Sequence, residues 1–165
     1  MIISINEYKK YIENRQNIID ILSNLPIGSI VDESDVYQYI EQLNFKNDPF
    51  FDITDGNLSD RIESYKKFKL QEINIDEIDV YRFQTDLNIV KQYAQQYKST
   101  KNYPPIVLGH EFLINDDDDF SIEKDEEGKP IVIGDGYEII DGAHRTNALL
   151  LNSVYTVKAF VGILE

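Results

Sequence analysis

The stretch that most constrains the fold of this chain is GYEIIDGAHRTNALLL, residues 136–151. Its residues Tyr137–Ile140 form a short apolar-rich run that is typical of a strand. Asp141-Gly142 interrupts this run with residues that tolerate tight turns and positive φ. Ala143–Leu151 has the composition of a helix. The sequence therefore predicts a strand, a glycine turn and a helix in immediate succession.

A helix that begins directly after a glycine turn offers a site for an anion. Its first backbone N–H groups have no carbonyl partners within the helix, and the helix dipole adds partial positive charge there. His144, Arg145 and Thr146 fall in this first turn and offer an imidazole, a guanidinium and a hydroxyl. Arginine suits phosphate because its planar fork can hold two oxygens at once. Two interpretations remain open: a phosphate-binding turn, or an ordinary helix start whose arginine makes a surface ion pair.

Bulk composition limits the function classes. The chain has 165 residues, enough for one compact domain or one domain with a helical extension. A hydrophobic fraction of 42% favours a folded chain, and a net charge of −14 argues against duplex DNA and anionic membrane surfaces. The absence of cysteine excludes disulfides, thiolate metal sites and cysteine nucleophiles. No signal peptide or membrane span is recognisable, so a cytoplasmic location is expected.

The first part of the chain is predicted to be helical. Apolar residues recur at helical spacing over 4–25, and a second helix carries Val36 and Ile40. Residues 44–57 are predicted to form a loop, since Pro and Asp-Gly interrupt them. A third helix is expected from about residue 59 to residue 70.

The remainder of the chain alternates between strand and helix patterns. Strands are expected over 73–83 and 106–108, with an amphipathic helix over 87–97 between them. Residues 129–133 and 137–140 are predicted to pair as a hairpin around Gly134-Asp135-Gly136. A closing strand is expected over 157–163.

Residues 115–128 carry a dense run of carboxylates. Four consecutive aspartates, 116–119, are followed by four more acidic residues and a single lysine. Such density suggests Mg²⁺ or Ca²⁺, but the spacing of an EF-hand is absent, and no metal ligand is assigned. The segment is predicted to be a self-repelling loop inserted between strands, with a partner-facing acidic surface as the alternative.

The segment from Ile73 to Gly162 resembles the ParB/sulfiredoxin-like (ParB N-terminal-like) superfamily in the order of its strands and helices. Its DGAHR motif is more similar to the DGxHR variant of free-serine kinases than to the GERR motif of chromosome-partitioning proteins. The resemblance implies an α+β fold, with a small mixed sheet and flanking helices. A helical extension would cover residues 1–70 and precede the ParB/sulfiredoxin-like domain at 71–165, which contains the acidic insertion 115–128.

The resemblance also implies a site. The DGAHR turn would hold the phosphates of ATP, ADP or another nucleotide, with Mg²⁺. The residues implied for nucleotide and phosphate binding are Gly142, Ala143, His144, Arg145, Thr146 and Arg82. Asp141 and His144 are the catalytic candidates at the turn. Asp141 would either orient His144 or Arg145, or approach the metal or a substrate hydroxyl. At the end of the strand 106–108, His110 or Glu111 would act as general base.

Differences between this sequence and the family motifs reduce the number of activities that the resemblance implies. Ala143 occupies the place where sulfiredoxins need a cysteine, which excludes sulfinic-acid repair. The second arginine of GERR, associated with CTP recognition, is absent. The chain ends soon after the closing strand, whereas chromosome-partitioning proteins continue into a helix-turn-helix domain, so a role in DNA segregation is not expected.

Two functions of different classes remain. The first is a phosphotransferase or nucleotide hydrolase that acts on a small hydroxylated substrate, with phosphate held at the DGAHR turn. The second is a non-catalytic acidic interaction or inhibitor protein that keeps the fold and occupies a basic protein partner. A charge of −14 would steer such encounters and make them sensitive to salt. A nuclease would need a nucleic-acid path, which nothing in the sequence supplies.

Overall fold

A computed structural model describes residues 4–47, 58–79, 85–99, 103–115 and 121–164. The helices are α1 (Ile5–Ser23), α2 (Glu33–Asn47), α3 (Leu58–Glu63), α4 (Leu87–Ser99) and α5 (Ala143–Leu151). The strands are β1 (Ile30–Asp32), β2 (Lys67–Asn74), β3 (Ile78–Asp79), β4 (Ile106–Phe112), β5 (Ile114–Asn115), β6 (Ser121–Ile122), β7 (Val132–Asp141) and β8 (Thr156–Gly162). Within the described ranges, no helix is long and apolar enough to cross a bilayer.

Six strands form one mixed sheet in the order β1-β2-β8-β4-β7-β3. β4 is parallel to β8 and β3 is parallel to β7, while the other neighbours are antiparallel. β5 and β6 pair separately as a short antiparallel ribbon. The predicted fold class, α+β with a mixed sheet and flanking helices, is confirmed.

The sheet is covered on both faces, and its central strand β4 shows why. Ile106, Val107 and Leu108 are all buried. Because successive side chains of a strand point to opposite faces, they divide between two hydrophobic clusters. Val107 packs in the cluster that contains residues of α1, α2 and α3. Ile106 and Leu108 pack in the cluster that contains Leu149 of α5.

Several predicted elements are confirmed. α4 and α5 begin at the expected residues, and α1, α2, β4 and β8 lie where the sequence pattern indicated. α5 coincides with the predicted helix from Ala143 to Leu151. α2 reaches Asn47, so the first residues of the predicted loop 44–57 are helical, and residues 48–57 lie outside the described part of the chain.

The predicted third helix is wrong beyond Glu63. α3 ends there, and residues from Lys67 onward form β2. Phe68 and Leu70 are buried, whereas Lys67 and Lys69 are exposed. This alternation has the period of a strand, and it overrides the helical propensity of the lysines.

The predicted hairpin around Gly134-Asp135-Gly136 is also wrong. Residues 132–141 form the single strand β7, which pairs with β4. The register shifts between His110 and Phe112 of β4, and Gly134 in the opposing stretch has φ 72°. Gly134 therefore accommodates a bulge in β7 instead of reversing the chain.

The division at residue 70 into an extension and a domain stays a prediction. In the structure β2 crosses that position, with Phe68 opposite Gly162 and Leu70 opposite Phe160. β1 pairs with β2 in turn. Residues on both sides of the division therefore contribute strands to one sheet.

The acidic segment 115–128 is described only in part, since residues 116–120 lie outside the described ranges. Beyond them, the backbones of Lys124 and Pro130 form an isolated antiparallel β-bridge. Oδ1 of Asp125 accepts hydrogen bonds from the backbone N–H groups of Glu127 and Lys129. These bonds close a tight turn in its second half.

Candidate functional site

The turn between β7 and α5 brings the start of α5 against β4. Gly142 has φ 115°, a left-handed conformation that favours glycine. A Cβ at this position would lie 2.4 Å from Cγ2 of Ile106 and 2.9 Å from Nη2 of Arg145. The glycine therefore serves two needs, the backbone conformation and the close approach of the turn to β4.

A cavity of about 300 Å³ opens at this turn. This volume lies at the lower end of the range of small-molecule sites. Leu43 and Asn44 of α2 form one wall of the cavity. Tyr93, Gln96 and Tyr97 of α4, with Pro104, form another, and the turn residues 141–145 complete it. The site thus combines aromatic rings, amides and the start of a helix.

Arg145 is buried at the cavity wall, with its side chain 9% exposed. Its Nη2 donates to Oδ2 of Asp141 at 2.9 Å. Its Nε–H is buried and has no hydrogen-bond partner among the described residues. The alternative of an arginine in a surface ion pair does not describe this side chain.

The surroundings of Arg145 keep its guanidinium group positively charged. Burial by itself lowers the pKa of the guanidinium, but the nearby Asp141, Tyr39 and Tyr97 raise it, and the resulting pKa lies above its ordinary value. Burial raises the pKa of Tyr97 to about 12, although Arg145 opposes the shift. At neutral pH the site therefore contains a permanent cation and a protonated phenol.

Asp141 has both carboxylate oxygens occupied. Oδ2 accepts from Arg145, and Oδ1 accepts from Nδ2 of Asn44 at 2.8 Å. A carboxylate held on both oxygens is better suited to orient Arg145 than to accept a proton. Of the roles proposed for Asp141 from the sequence, the geometry favours the orienting one.

His144 lines the cavity and contacts the start of α4. Its Nε2 accepts a hydrogen bond from the backbone N–H of Asp86 at 3.1 Å. A neutral imidazole that accepts at Nε2 carries its proton at Nδ1. Nδ1 is therefore the donor that this residue offers.

Thr146 faces away from the cavity. Its hydroxyl and its backbone N–H both donate to the carbonyl oxygen of Gly142 at 2.9 Å, and the residue is fully buried. Its N–H is the first in α5 to have a partner in the preceding turn. The N–H groups of Ala143, His144 and Arg145 precede it and have no carbonyl partner within the helix.

The structure does not bring Glu111 or His110 to the cavity. Val107 lies opposite Asp141, and His110 lies opposite Tyr137, farther along β4. Glu111 is four residues beyond Val107, or roughly 13 Å at the rise of a strand. His110 is engaged elsewhere, with Nε2 3.0 Å from the carbonyl oxygen of Gly162. Arg82, the other predicted phosphate ligand, lies outside the described residues.

Sequence reasoning placed Asp141, His144 and Arg145 together and missed the residues that α2 and α4 contribute. Asn44 was assigned to a predicted loop, and it lies 97 positions before the carboxylate that it holds. Tyr93 and Tyr97 are spaced four residues apart on a helix, which places both rings on one face. This spacing predicts that both rings lie on the same side of the helix. It does not show whether that side lines a cavity or packs in the hydrophobic core.

The structure defines an α+β protein with a cavity at the start of α5. Among solved structures, the chain is similar to sulfiredoxin from Arabidopsis thaliana, with 16% identity and a TM-score of 0.38 over 56% of this chain and 82% of that one. It is also similar to a C-terminally truncated chromosome-partitioning protein ParB from Caulobacter crescentus complexed with CTP-γ-S. That match has 16% identity and a TM-score of 0.37. It covers 58% of this chain and 45% of that one, so this chain spans less than half of the ParB length. No family model and no curated protein sequence matches the chain.

Proposed function

We propose that the cavity at the start of α5 binds the phosphate groups of a nucleotide. The observation that carries this proposal is Arg145, which lines the cavity and whose buried Nε–H has no partner among the described residues. Leaving a buried donor unsatisfied costs about 1–3 kcal/mol. A phosphate oxygen in the cavity would accept this hydrogen bond.

Other donors belong to the same turn. The N–H groups at the start of α5 lack helical partners and lie at the positive end of the helix dipole. His144 adds its Nδ1–H, as argued above. Asp141 balances the formal charge of Arg145, so affinity for an anion depends on these converging donors as well as on net charge.

The aromatic wall favours a nucleotide over inorganic phosphate. The rings of Tyr93 and Tyr97 are stacked, with centroids 5.8 Å apart and planes inclined by 12°. Both residues line the cavity, together with the apolar Leu43 and Pro104. Aromatic faces of this kind stack on nucleobases, at roughly 1–3 kcal/mol per base.

The chemistry that follows from this proposal is transfer of the terminal phosphoryl group of ATP to the hydroxyl of a small substrate, or to water. The new O–P bond replaces the bond between the terminal phosphorus and the bridging oxygen, ADP leaves, and the hydroxyl proton passes to solvent. Phosphoryl transfer depends mainly on positioning and on neutralising charge around the transferred group. Arg145 would hold the phosphate, Asp141 would orient Arg145, and His144 would donate a hydrogen bond. Mg²⁺ would accompany the phosphates. Incubating the protein with ATP, Mg²⁺ and small hydroxylated compounds, and following the nucleotide by phosphorus NMR, tests for this activity.

Replacing Arg145 by lysine tests the binding site directly. Lysine keeps the positive charge and can pair with Asp141, but it has no equivalent of the Nε–H. We expect Arg145→Lys to weaken nucleotide binding about tenfold or more, which corresponds to about 1.4 kcal/mol. The measurement is calorimetric titration with ATP, ADP, CTP and GTP, with and without Mg²⁺.

Arg61→Lys is the matched control for this titration. Arg61 is also partly buried in an ion pair, with Glu138, but it does not line the cavity. We expect Arg61→Lys to bind nucleotide as the parent protein does. Equal affinity of Arg145→Lys and the parent, or failure of the parent to bind any of the four nucleotides, would contradict the proposed site.

A second candidate function rests on the net charge of −14. An acidic protein of this kind would occupy a basic partner through long-range attraction. Binding to such a partner would weaken steeply with salt and would be unchanged in Arg145→Lys. A partner interaction that Arg145→Lys abolishes would instead place the partner at the nucleotide site.

A further inference from the structure

We propose that Asn44 is a positioning residue of the nucleotide site, and that α2 is therefore part of that site. This inference rests on the proposed function. Asn44 does not need to touch the ligand for this role. It acts through Asp141, which in turn holds Arg145.

The amide of Asn44 has a defined orientation. Nδ2 donates to the carbonyl oxygen of Ile40 at 2.8 Å and to Oδ1 of Asp141 at 2.8 Å. Both partners are acceptors, so the nitrogen, and not the oxygen, must face them. The two hydrogen bonds use both protons of the amide and fix the side chain on α2.

This contact restricts how Asp141 can meet Arg145. A carboxylate with two available oxygens commonly binds a guanidinium with two parallel hydrogen bonds. Here Oδ1 is engaged by Asn44, and the hydrogen bond that Asp141 accepts from Arg145 is made by Oδ2 from Nη2, at 2.9 Å. Asn44 thus holds Asp141 in the orientation in which Oδ2 meets Nη2, and in this orientation the Nε–H has no acceptor among the described residues and stays available for a phosphate oxygen.

The rest of α2 is well placed to keep Asn44 in position. Tyr39 and Ile40 are fully buried. The hydroxyl of Tyr39 donates to the carbonyl oxygen of Pro105 at 2.5 Å, next to the cavity residue Pro104. This hydrogen bond links α2 to the segment that leads into β4. A displacement of α2 would therefore change the position and orientation of the Asp141 carboxylate.

The first experiment follows the Nε–H of Arg145 by proton–nitrogen NMR without ligand. In the parent we expect the chemical shift of a group without a protein acceptor. In Asn44→Ala we expect a downfield shift, because Asp141 is released to accept the Nε–H. The control is Gln38→Ala, which removes an exposed amide from the same helix and should leave the resonance unchanged. An unchanged resonance in Asn44→Ala would overturn the proposal, whatever the outcome of nucleotide binding.

The second experiment is a double-mutant cycle on nucleotide affinity. We expect Asn44→Ala to weaken binding of ATP or CTP about tenfold, and Gln38→Ala to leave it unchanged. In an Asp141→Ala background the effect of Asn44→Ala should disappear, because alanine has no acceptor for the amide of Asn44. An equal loss in both backgrounds, or no loss in the first, would overturn the positioning role while Arg145→Lys still tests the site itself.

Discussion

Gly142 is the residue on which the geometry of the turn depends. Its φ of 115° and its approach to Ile106 let α5 begin directly over β4, with Arg145 folded back beside it. No other residue type satisfies both conditions, because a Cβ would be strained by the backbone and would overlap the side chain of Ile106.

We expect Gly142→Ala to destabilise the protein by on the order of 3 kcal/mol, the sum of backbone strain and overpacking. Gly28→Ala is the control, since Gly28 has φ 96° but nothing within 4 Å of its added Cβ. That variant should lose only about 1 kcal/mol. Urea unfolding of both variants gives the comparison, and equal losses would show that contact with Ile106 has no cost.

The site residues show what local sequence can and cannot establish. Asp141, His144 and Arg145 were found because a strand, a glycine turn and a helix start leave a local pattern. Asn44 was missed because its hydrogen bond to Asp141 is a contact across the fold. Thr146 illustrates a further limit, since a threonine in a first turn can face a ligand or bond to the preceding turn, and here it does the latter.

At the scale of elements, a largely buried ion pair between Arg61 and Glu138 links α3 to the sheet. Nε of Arg61 donates to Oε1 of Glu138 at 3.0 Å, and Nη2 donates to the carbonyl oxygen of Ile139 at 2.7 Å. Glu138 is only 7% exposed. Glu138 lies on β7, the strand that leads into the turn before α5, so the ion pair helps to position that strand under α3.

We expect Arg61→Ala to destabilise the protein by on the order of 3 kcal/mol, because it removes a charged partner of a buried carboxylate. Adding Glu138→Gln should recover part of that loss, since the group left behind is then neutral. Thermal or urea unfolding of the single and double variants measures both effects. A double variant less stable than Arg61→Ala would indicate that Glu138 has a more important partner than Arg61.

The elements differed in how well their sequence patterns defined them. α5 has a glycine before it and a continuous helical composition, and it was predicted to the residue. The first residues of β2, up to Leu70, were wrongly predicted as helix because their alternating lysines and apolar residues follow shortly after α3. β7 was divided at Gly134 because glycine marks both turns and bulges, and only the register against β4 distinguishes the two.

At the scale of the whole molecule, the net charge of −14 is the dominant property. Like charges on a compact surface repel one another and oppose folding. For the proposed nucleotide site, the same surface would repel an approaching nucleotide until it reached the local donors at the start of α5. Both effects decline when salt shortens the Debye length to about 10 Å or less.

We therefore expect the melting temperature to rise by a few degrees when NaCl is increased from about 20 to about 200 mM, a range over which screening becomes strong. The association rate of ATP should rise over the same range, opposite to the usual behaviour of an anion that meets a basic surface. Scanning calorimetry and stopped-flow measurements test the two effects. A neutral solute of matched osmolality is the control, and a falling melting temperature would contradict the argument.

The position of β8 has a consequence for how the molecule is made. β8 is the last strand along the described chain, yet it lies between β2 and β4 near the middle of the sheet. On a ribosome, the other five described strands of this sheet emerge before β8, which joins β2 to β4. Until then β2 and β4 present unpaired backbone edges, the kind of surface on which nascent chains aggregate and chaperones act.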